Sequence, residues 1–395
     1  MKIGIEAQRI FRKKKHGMDV VVLELIKQLQ KMDSPHEFIV FVKNGPDDQC
    51  IRPSRNLKIV KVPGKSYPDW EQIFLPRAAK KHGVDLLHLT SNTAPINVGI
   101  PYIITLHDII FLEKVSFDGT MYQNFGNLYR RWNIPRVVDK AHSIITVSEF
   151  ERGNILTHLS SLEGKVHAVH NGVNPIFKTQ STQDKRVQQI LHQYQLPSAY
   201  MFFLGNKAPK KNMPRVLKAY GSYVERVSYP LPLVMAETTQ DELMKMLDEL
   251  NLSHILSNIR LTGYIEHKYL PIFYSQSSFF LYPSLRESFG LPIIEAMACG
   301  TPVITSSSSA MPEIAGDAAI LVDPTSQKHI TDAMVLLHQD EQLRDRLIEA
   351  GLRRAPSFGW DKHAGKVLKL YHEALSQESI SPLEEEETIK GQRTN

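Results

Sequence analysis

Blocks of consecutive apolar residues alternate along this chain with stretches in which apolar residues recur at helical spacing. In the first half the blocks are Lys2–Ile5, Phe38–Val42, Leu57–Val60, Leu86–Leu89, Tyr102–Leu106, Ser143–Val147 and Val166–Val169, each of strand length. Between them, Val20–Gln30, Glu71–His82 and Trp132–Lys140 carry helical periodicity. Strand–helix alternation of this kind predicts a parallel sheet covered on both faces.

The pattern then starts again. Tyr200–Leu204, Leu233–Ala236, Ile259–Leu261, Ser278–Leu281, Pro302–Thr305 and Ala319–Val322 read as strands. Their helices read as Met213–Tyr220, Asp241–Leu250, Lys268–Gln276, Leu291–Cys299, Gln327–His338 and Glu341–Ala355. The expected organisation is an α/β chain of two doubly wound, Rossmann-like domains, residues 1–178 and 197–357, joined by a polar, Gln-rich linker over 179–196. Two such domains predict a ligand cleft at the carboxyl ends of their strands. A last segment, 358–378, opens on Phe358-Gly359-Trp360 and carries a helical stretch over Asp361–Leu375; the charged tail 379–395 lacks apolar periodicity and is expected to be disordered.

Composition changes this picture little. With 42% hydrophobic and 23% charged residues among 395, the chain reads as a globular protein, and its length favours two domains. No apolar run approaches the ~20 residues needed to cross a bilayer. Lys2-Ile3-Gly4-Ile5-Glu6 opens on a strand rather than a signal-peptide stretch, so a cytoplasmic protein is expected. Cys50 and Cys299 are the only cysteines and have no metal-ligand spacing, and no metal site is expected. Charge is uneven: residues 1–178 hold 25 Lys and Arg against 17 Asp and Glu, while the remainder holds 22 against 25. A basic first half suits phosphate-bearing lipid at the inner face of a membrane, and nucleic acid would suit it electrostatically too. It lacks the aromatic-interleaved patch of a nucleic-acid reader, and no nucleic-acid partner is expected.

The most informative stretch is Arg286-Glu287-Ser288-Phe289-Gly290-Leu291-Pro292-Ile293-Ile294-Glu295. Gly290 supplies backbone freedom, and Pro292 sits where a first helical turn tolerates it. Glu287 therefore stays on a loop while Glu295 lies about one turn inside a helix. A helix N-terminus between them, at Gly290 and Leu291, offers N–H groups to a phosphate. A carboxylate one turn in accepts hydroxyl hydrogen bonds from a ribose. Upstream, Leu204-Gly205-Asn206-Lys207-Ala208-Pro209-Lys210-Lys211-Asn212 is a Gly-containing loop with consecutive lysines before a helix, a plausible diphosphate cradle.

Two glutamates at this spacing, inside Phe-Gly-Leu-Pro-x-x-Glu-Ala, resemble the Glu-x7-Glu motif of retaining GT-B glycosyltransferases of family 4, the mannosyltransferase-like glycosyl transferases of group 1. The resemblance covers residues 1–375 and is strongest from Tyr200 to Pro324. It implies the GT-B fold, two Rossmann-like domains facing each other across a cleft, with a C-terminal helix crossing back to the first domain. The lysine loop resembles the family's Gly-x-x-x-Pro-Arg-Lys-Asn element, which puts Lys211 at the lysine position and Lys210 where arginine is more usual. A lysine there loses the bidentate grip of a guanidinium. Thr105-Leu106-His107-Asp108 resembles the strand-end His-Asp of the family, which implies His107 beside the transferred sugar with Asp108 orienting it. Family members carry a glycine-rich turn after the first strand; this chain keeps Gly17 but is otherwise basic through Arg12-Lys13-Lys14-Lys15, a loop as well suited to solvent as to anionic headgroups. Gly263, Tyr264 and Ile265 are expected near the nucleotide base, and Tyr282-Pro283-Ser284 near the ribose or phosphate.

The resemblance implies a retaining hexosyltransferase that uses a nucleoside diphosphate sugar as co-substrate, with no further cofactor and no metal. In it Lys211, Glu287 and His107 act on the reacting groups. No Asp-x-Asp occurs in the chain, so the metal-clamping signature of the other common glycosyltransferase fold is missing. A glycan or lipid-linked acceptor in cell-surface polysaccharide or glycolipid assembly is the expected partner. Two alternatives stay open: a GT-B-like sugar-nucleotide epimerase and a non-catalytic nucleotide-sugar-binding scaffold.

Overall fold

The computed structural model describes residues 1–113, 121–205 and 208–378. The proposed tail 379–395 lies outside the described residues, as do Asn206 and Lys207 of the lysine loop. The chain divides into two units. One holds residues 1–171 together with residues 360 onward; the other is residues 172–359.

In the first unit seven strands form one wholly parallel sheet. They are β1 (Lys2–Glu6), β2 (Glu37–Val42), β3 (Leu57–Lys61), β4 (Leu86–Leu89), β5 (Tyr102–Thr105), β6 (Ser143–Thr146) and β7 (Val166–Ala168), in the order β3-β2-β1-β4-β5-β6-β7. Parallel neighbours need crossover helices, so both faces are covered and the strands are largely apolar, with Lys58 and Lys61 exposed on the edge strand β3. Ile3 and Ile5 pack on one face with Ile26 and Leu29 of helix Gly17–Lys31, while Leu87 and Leu89 pack on the other with Leu75 and Ala79 of helix Leu75–His82.

The C-terminal helix Trp360–Glu378 completes the first of these layers. Ala364, Val367, Tyr371, Ala374 and Leu375 recur at helical spacing and are buried in the same cluster as Ile26. Its Tyr371 hydroxyl also meets His88 Nδ1 in the middle of β4 at 2.6 Å, and His88 Nε2 lies 2.7 Å from Thr105 Oγ1 on β5. Burial pushes the His88 pKa down to about 3, so the ring is neutral.

The second unit is a parallel sheet of six strands: β8 (Met201–Phe203), β9 (Leu233–Ala236), β10 (Ile259–Gly263), β11 (Phe279–Tyr282), β12 (Val303–Ser306) and β13 (Ile320–Val322). Their order is β10-β9-β8-β11-β12-β13. The strand order reverses between β8 and β11 here, and between β1 and β4 in the first unit. Loops leaving such a pair diverge at the carboxyl edge, where open α/β sheets collect ligands.

Boundaries differ from the expected ones. The first unit ends at Asn171 rather than after Lys178. The polar stretch 179–196 contains the helix Lys185–Gln193, which buries Val187 and Ile190, so it packs as part of the second unit. The helix expected over Trp132–Lys140 is longer on its N-terminal side, running Met121–Val137 before a short 3-10 turn.

Candidate functional site

In the second unit the switch point brings the lysine loop and the glutamate loop together. Pro209–Lys211 forms a short 3-10 turn after β8, ended by Asn212 in the left-handed conformation. Asn212 donates through Nδ2 to the carbonyls of Pro283 (3.0 Å) and Pro324 (2.7 Å), and Leu285 N–H donates to the Lys210 carbonyl at 2.7 Å. Backbone stitching, rather than side-chain attraction alone, therefore sets the two loops side by side.

Across that seam Lys211 Nζ lies 2.8 Å from Glu287 Oε1 and 2.7 Å from the Tyr282 hydroxyl, and 4.6 Å from the centre of the Tyr282 ring. Lys210 Nζ reaches Glu287 Oε2 more loosely, at 3.4 Å, with its side chain about half exposed. Burial alone would raise the Glu287 pKa; the charges of Lys211 and Lys210 outweigh it and hold the carboxyl below its usual range. Burial pulls the Lys211 pKa down against the opposing charge of Glu287. A third loop fixes the glutamate's backbone. Ser309, left-handed at φ 61°, accepts from Glu287 N–H at 3.0 Å and donates to the Glu287 carbonyl. A non-glycine residue in that conformation is costly and persists where its surroundings demand it.

Glu295 lies on the fifth residue of helix Leu291–Ala298, and Gly290 before it adopts φ 102°, a left-handed geometry suited to glycine. The Tyr274 hydroxyl donates to Glu295 Oε2 at 3.2 Å. Burial raises the Glu295 pKa to about 7. Between the two carboxylates stands a run of rings: Tyr274 meets Phe280 edge-on at 5.0 Å, and Phe280 stacks on Tyr282 at 5.7 Å. Ser284 is buried in this seam, its carbonyl accepting from the Ser306 hydroxyl. Gly263 ends β10 in the left-handed conformation, followed by exposed Tyr264 and buried Ile265. An apolar Ile265 side chain turned into the core leaves only its backbone for a ligand.

Gly17, His107 and Asp108 belong to the first unit. His107 follows β5 and is buried; its N–H donates to Asn92 Oδ1 at 2.6 Å, and Nε2 lies 3.0 Å from the Thr90 carbonyl. Burial lowers its pKa to about 4. Asp108 Oδ1 accepts from Ile110 N–H at 3.2 Å. Gly17 begins its helix, and a Cβ there would meet no atom within 4 Å. The basic loop before it is not uniformly solvated: Arg9 pairs with Asp19 at 3.0 Å, Lys15 pairs with Asp47, and Phe11 is buried. Arg12 is exposed.

At the switch point of this unit lies a cleft of about 760 Å³, lined by Arg9, Arg12, Lys65, Tyr67, Tyr129 and Arg130 among others. Beneath it Glu71 is buried. It accepts from the hydroxyls of Tyr67 (2.9 Å), Tyr129 (2.7 Å) and Thr93. Burial raises its pKa above the usual carboxyl value. Glu71, Ser309 and Tyr274 were not expected from the sequence, and Tyr282 was expected only beside the ribose or phosphate, not on Lys211. Glu71 looks like any helix-face glutamate, and the others carry chemistry only through partners distant in sequence.

Residues 187–354 match the family described as Glycosyl transferases group 1, and residues 16–176 the one described as Glycosyltransferase Family 4. O-antigen chain mannosyltransferase B of Escherichia coli is 30% identical over 246 residues, 62% of this chain and 64% of that protein. The serotype-specific mannosyltransferase WbdA of Escherichia coli is 25% identical over 312 residues, 78% of this chain but 38% of that protein. The chain thus spans less than two thirds of the length of these two relatives. Among solved structures, sucrose-phosphate synthase from Thermosynechococcus elongatus superposes with a TM-score of 0.74 at 19% identity, covering 95% of this chain and 99% of that one. At that identity the likeness is one of fold.

Proposed function

The chain belongs to the GT-B glycosyltransferases of group 1 and family 4, and from that premise we propose that it moves a hexose from a nucleoside diphosphate sugar to an acceptor hydroxyl with retention of configuration. Its relatives' mannosyltransferase names favour a mannose-type donor and a glycan or lipid-linked acceptor of cell-surface polysaccharide or glycolipid assembly. We place it in the cytoplasm, at the inner face of a membrane. No described helix is long and apolar enough to cross a bilayer.

The observation that carries this reading is the Lys211–Glu287 pair at the β8/β11 switch point. An ammonium has three N–H groups, and Glu287 and Tyr282 use two of them. The remaining one, with Lys210 and the backbone at Gly290 and Leu291, is offered to the diphosphate. Donors held ready where charge develops on a leaving group are usually the largest catalytic contribution. These cations meet the charge that a divalent ion meets in other transferases, and the reaction is proposed to run without metal.

Glu295 receives the ribose hydroxyls. Gly263, Tyr264 and Ile265 offer the base their backbone edge, and Ser284 supports the phosphate side. Glu287 fixes the donor sugar, with His107, Asp108 and Gly17 contributing on the sugar and acceptor side. No side chain is assigned as a nucleophile. The departing phosphate takes the acceptor proton on the face from which the sugar leaves.

Thermal unfolding with UDP, GDP, ADP and dTDP, without added metal, tests the donor site on wild type and Glu295→Ala. Protection of the wild type by one nucleotide, abolished in the variant, supports the assignment. No protection at saturating nucleotide would sink it. Product analysis separates the rivals: an epimerase isomerises the donor without acceptor, and a scaffold turns nothing over.

A further inference from the structure

Helix Met121–Val137 presents an outer face that stays open to solvent among the described residues. Its inner face is fixed: Ile134 and Val137 are buried, and the Asn133 side chain accepts from Ala94 N–H at 3.0 Å and donates to Ala94 O at 2.8 Å. Phe125, Leu128 and Trp132 therefore point outward along one stripe, and they are 57%, 60% and 45% exposed. They span about 10 Å of helix. Elsewhere the large exposed apolar residues are scattered, as Tyr229 and Leu321 are, and single ones need no explanation.

The charge on this helix is one-signed. It carries Arg130, Arg131 and Arg136 and has no aspartate or glutamate. Arg136 continues the stripe, its guanidinium 5.1 Å from the centre of the Trp132 ring and donating to the Trp132 carbonyl. Arg130 donates to Asn127 Oδ1, a neutral oxygen, at 3.1 Å. Apolar side chains ending in a Trp–Arg pair, on a helix without carboxylates, are matched to the boundary between hydrocarbon and anionic headgroups.

We propose that this face seats the first unit on an anionic lipid bilayer, with Phe125, Leu128 and Trp132 entering the headgroup boundary and Arg136 at the phosphates. The same helix lends Phe125, Tyr129 and Arg130 to the wall of the 760 Å³ cleft. Seating it on lipid brings that cleft to headgroup level. The docking deepens the placement at the inner face of a membrane proposed above, and this last consequence rests further on the lipid-linked acceptor.

The chain has three tryptophans, and Trp70 and Trp360 are buried, so Trp132 alone reports contact with lipid. The experiment uses the full chain with vesicles of neutral phosphatidylcholine, with or without phosphatidylglycerol, and with brominated acyl chains. Expected are a blue shift and quenching with the anionic vesicles, both absent in Trp132→Phe. Leu128→Ser with Arg136→Glu should lower the vesicle partition coefficient by about a hundredfold, on the order of tenfold from each substitution. Its unfolding midpoint controls for folding.

Absence of quenching with every vesicle overturns the proposal, and so does equal partition of the double variant. A wild type that associates with itself, ceases to do so in the variant and ignores vesicles makes the face a contact between copies instead. Nucleotide protection without vesicles reports on the donor site separately, so failure of the membrane placement and failure of the transferase reading are distinguishable.

Discussion

Lys211 and Glu287, 76 positions apart in sequence, meet at 2.8 Å on the loops that leave adjacent strands β8 and β11. Both side chains are largely buried, the lysine 17% and the glutamate 11% exposed. Removing one partner from such a pair leaves an uncompensated charge, whereas removing both relieves the desolvation of each. Lys211→Met and Glu287→Gln should therefore each destabilise by about 3 kcal/mol or more, and the double variant by clearly less than their sum. Turnover should behave otherwise. It is expected to fall about a hundredfold or more in Lys211→Met, with no recovery in the double variant. Urea unfolding beside initial rates on the four proteins checks this, and recovery of turnover with stability would make the pair merely structural.

Glu295 ties stability to pH in the second unit. Its folded pKa of about 7 stands above the ordinary carboxyl value of 4.5. The folded state thus holds the proton between those values, and stability falls as pH rises from about 4.5 to about 7. Glu295→Gln should remove that fall and be more stable than wild type at pH 8, by on the order of 3 kcal/mol. Urea midpoints at pH 5 and pH 8 measure it. Because ribose hydroxyls donate to the ionised form, wild-type nucleotide affinity should rise between pH 6 and 8, and that of Glu295→Gln should stay flat.

The first unit responds in the opposite sense. Burial lowers His88 to about 3, and His107 and His363 to about 4. Unfolded histidines take up protons near 6.5, so the unfolded state gains them first as pH falls. Stability is whole above about 6.5 and declines below it, at up to about 4 kcal/mol per pH unit if all three titrate together. Hydrogen exchange resolved by segment should show strands of residues 1–171 opening near pH 5 while those of 172–359 hold. Uniform opening of both units would contradict the assignment.

Tyr371→Phe removes the hydroxyl that meets His88 Nδ1 in the sheet. A buried ring nitrogen left unmatched should cost about 1–3 kcal/mol. Calorimetry is the check. His88→Phe together with Tyr371→Phe should recover part of that stability, since replacing both polar partners is milder than orphaning one.

The strands of both sheets were legible because parallel strands covered on two faces are largely apolar, and blocks such as Phe38–Val42 and Leu233–Ala236 stand out against amphipathic neighbours. Glu287, Gly290 and Glu295 were legible because a loop, a left-handed glycine and a helix start lie within one short run. The meeting of Lys211 with Glu287 was not. It depends on β8 and β11 being neighbours, which strand order decides and local pattern does not. Tyr282 was expected beside the ribose or phosphate, but its hydroxyl on Lys211 follows only from that same strand order. Glu71 gave no signal, because its meaning lies in Tyr67, Thr93 and Tyr129 converging on one carboxylate. The unit boundary at Asn171 was missed because residues 172–178 are no more polar than those before them, and Phe177 packs against Tyr274 of the second unit.

The helix Trp360–Glu378 belongs to the first unit's core although the whole second unit separates it from that core in sequence. During synthesis the segment 172–359 is therefore complete before the earlier one. Ile26 and Leu29 lack part of their covering layer until Tyr371 and Leu375 have left the ribosome. A chain released at residue 359 should expose that layer to chaperones while its second unit can close, so damage to the last helix would be felt by the first strands to be made.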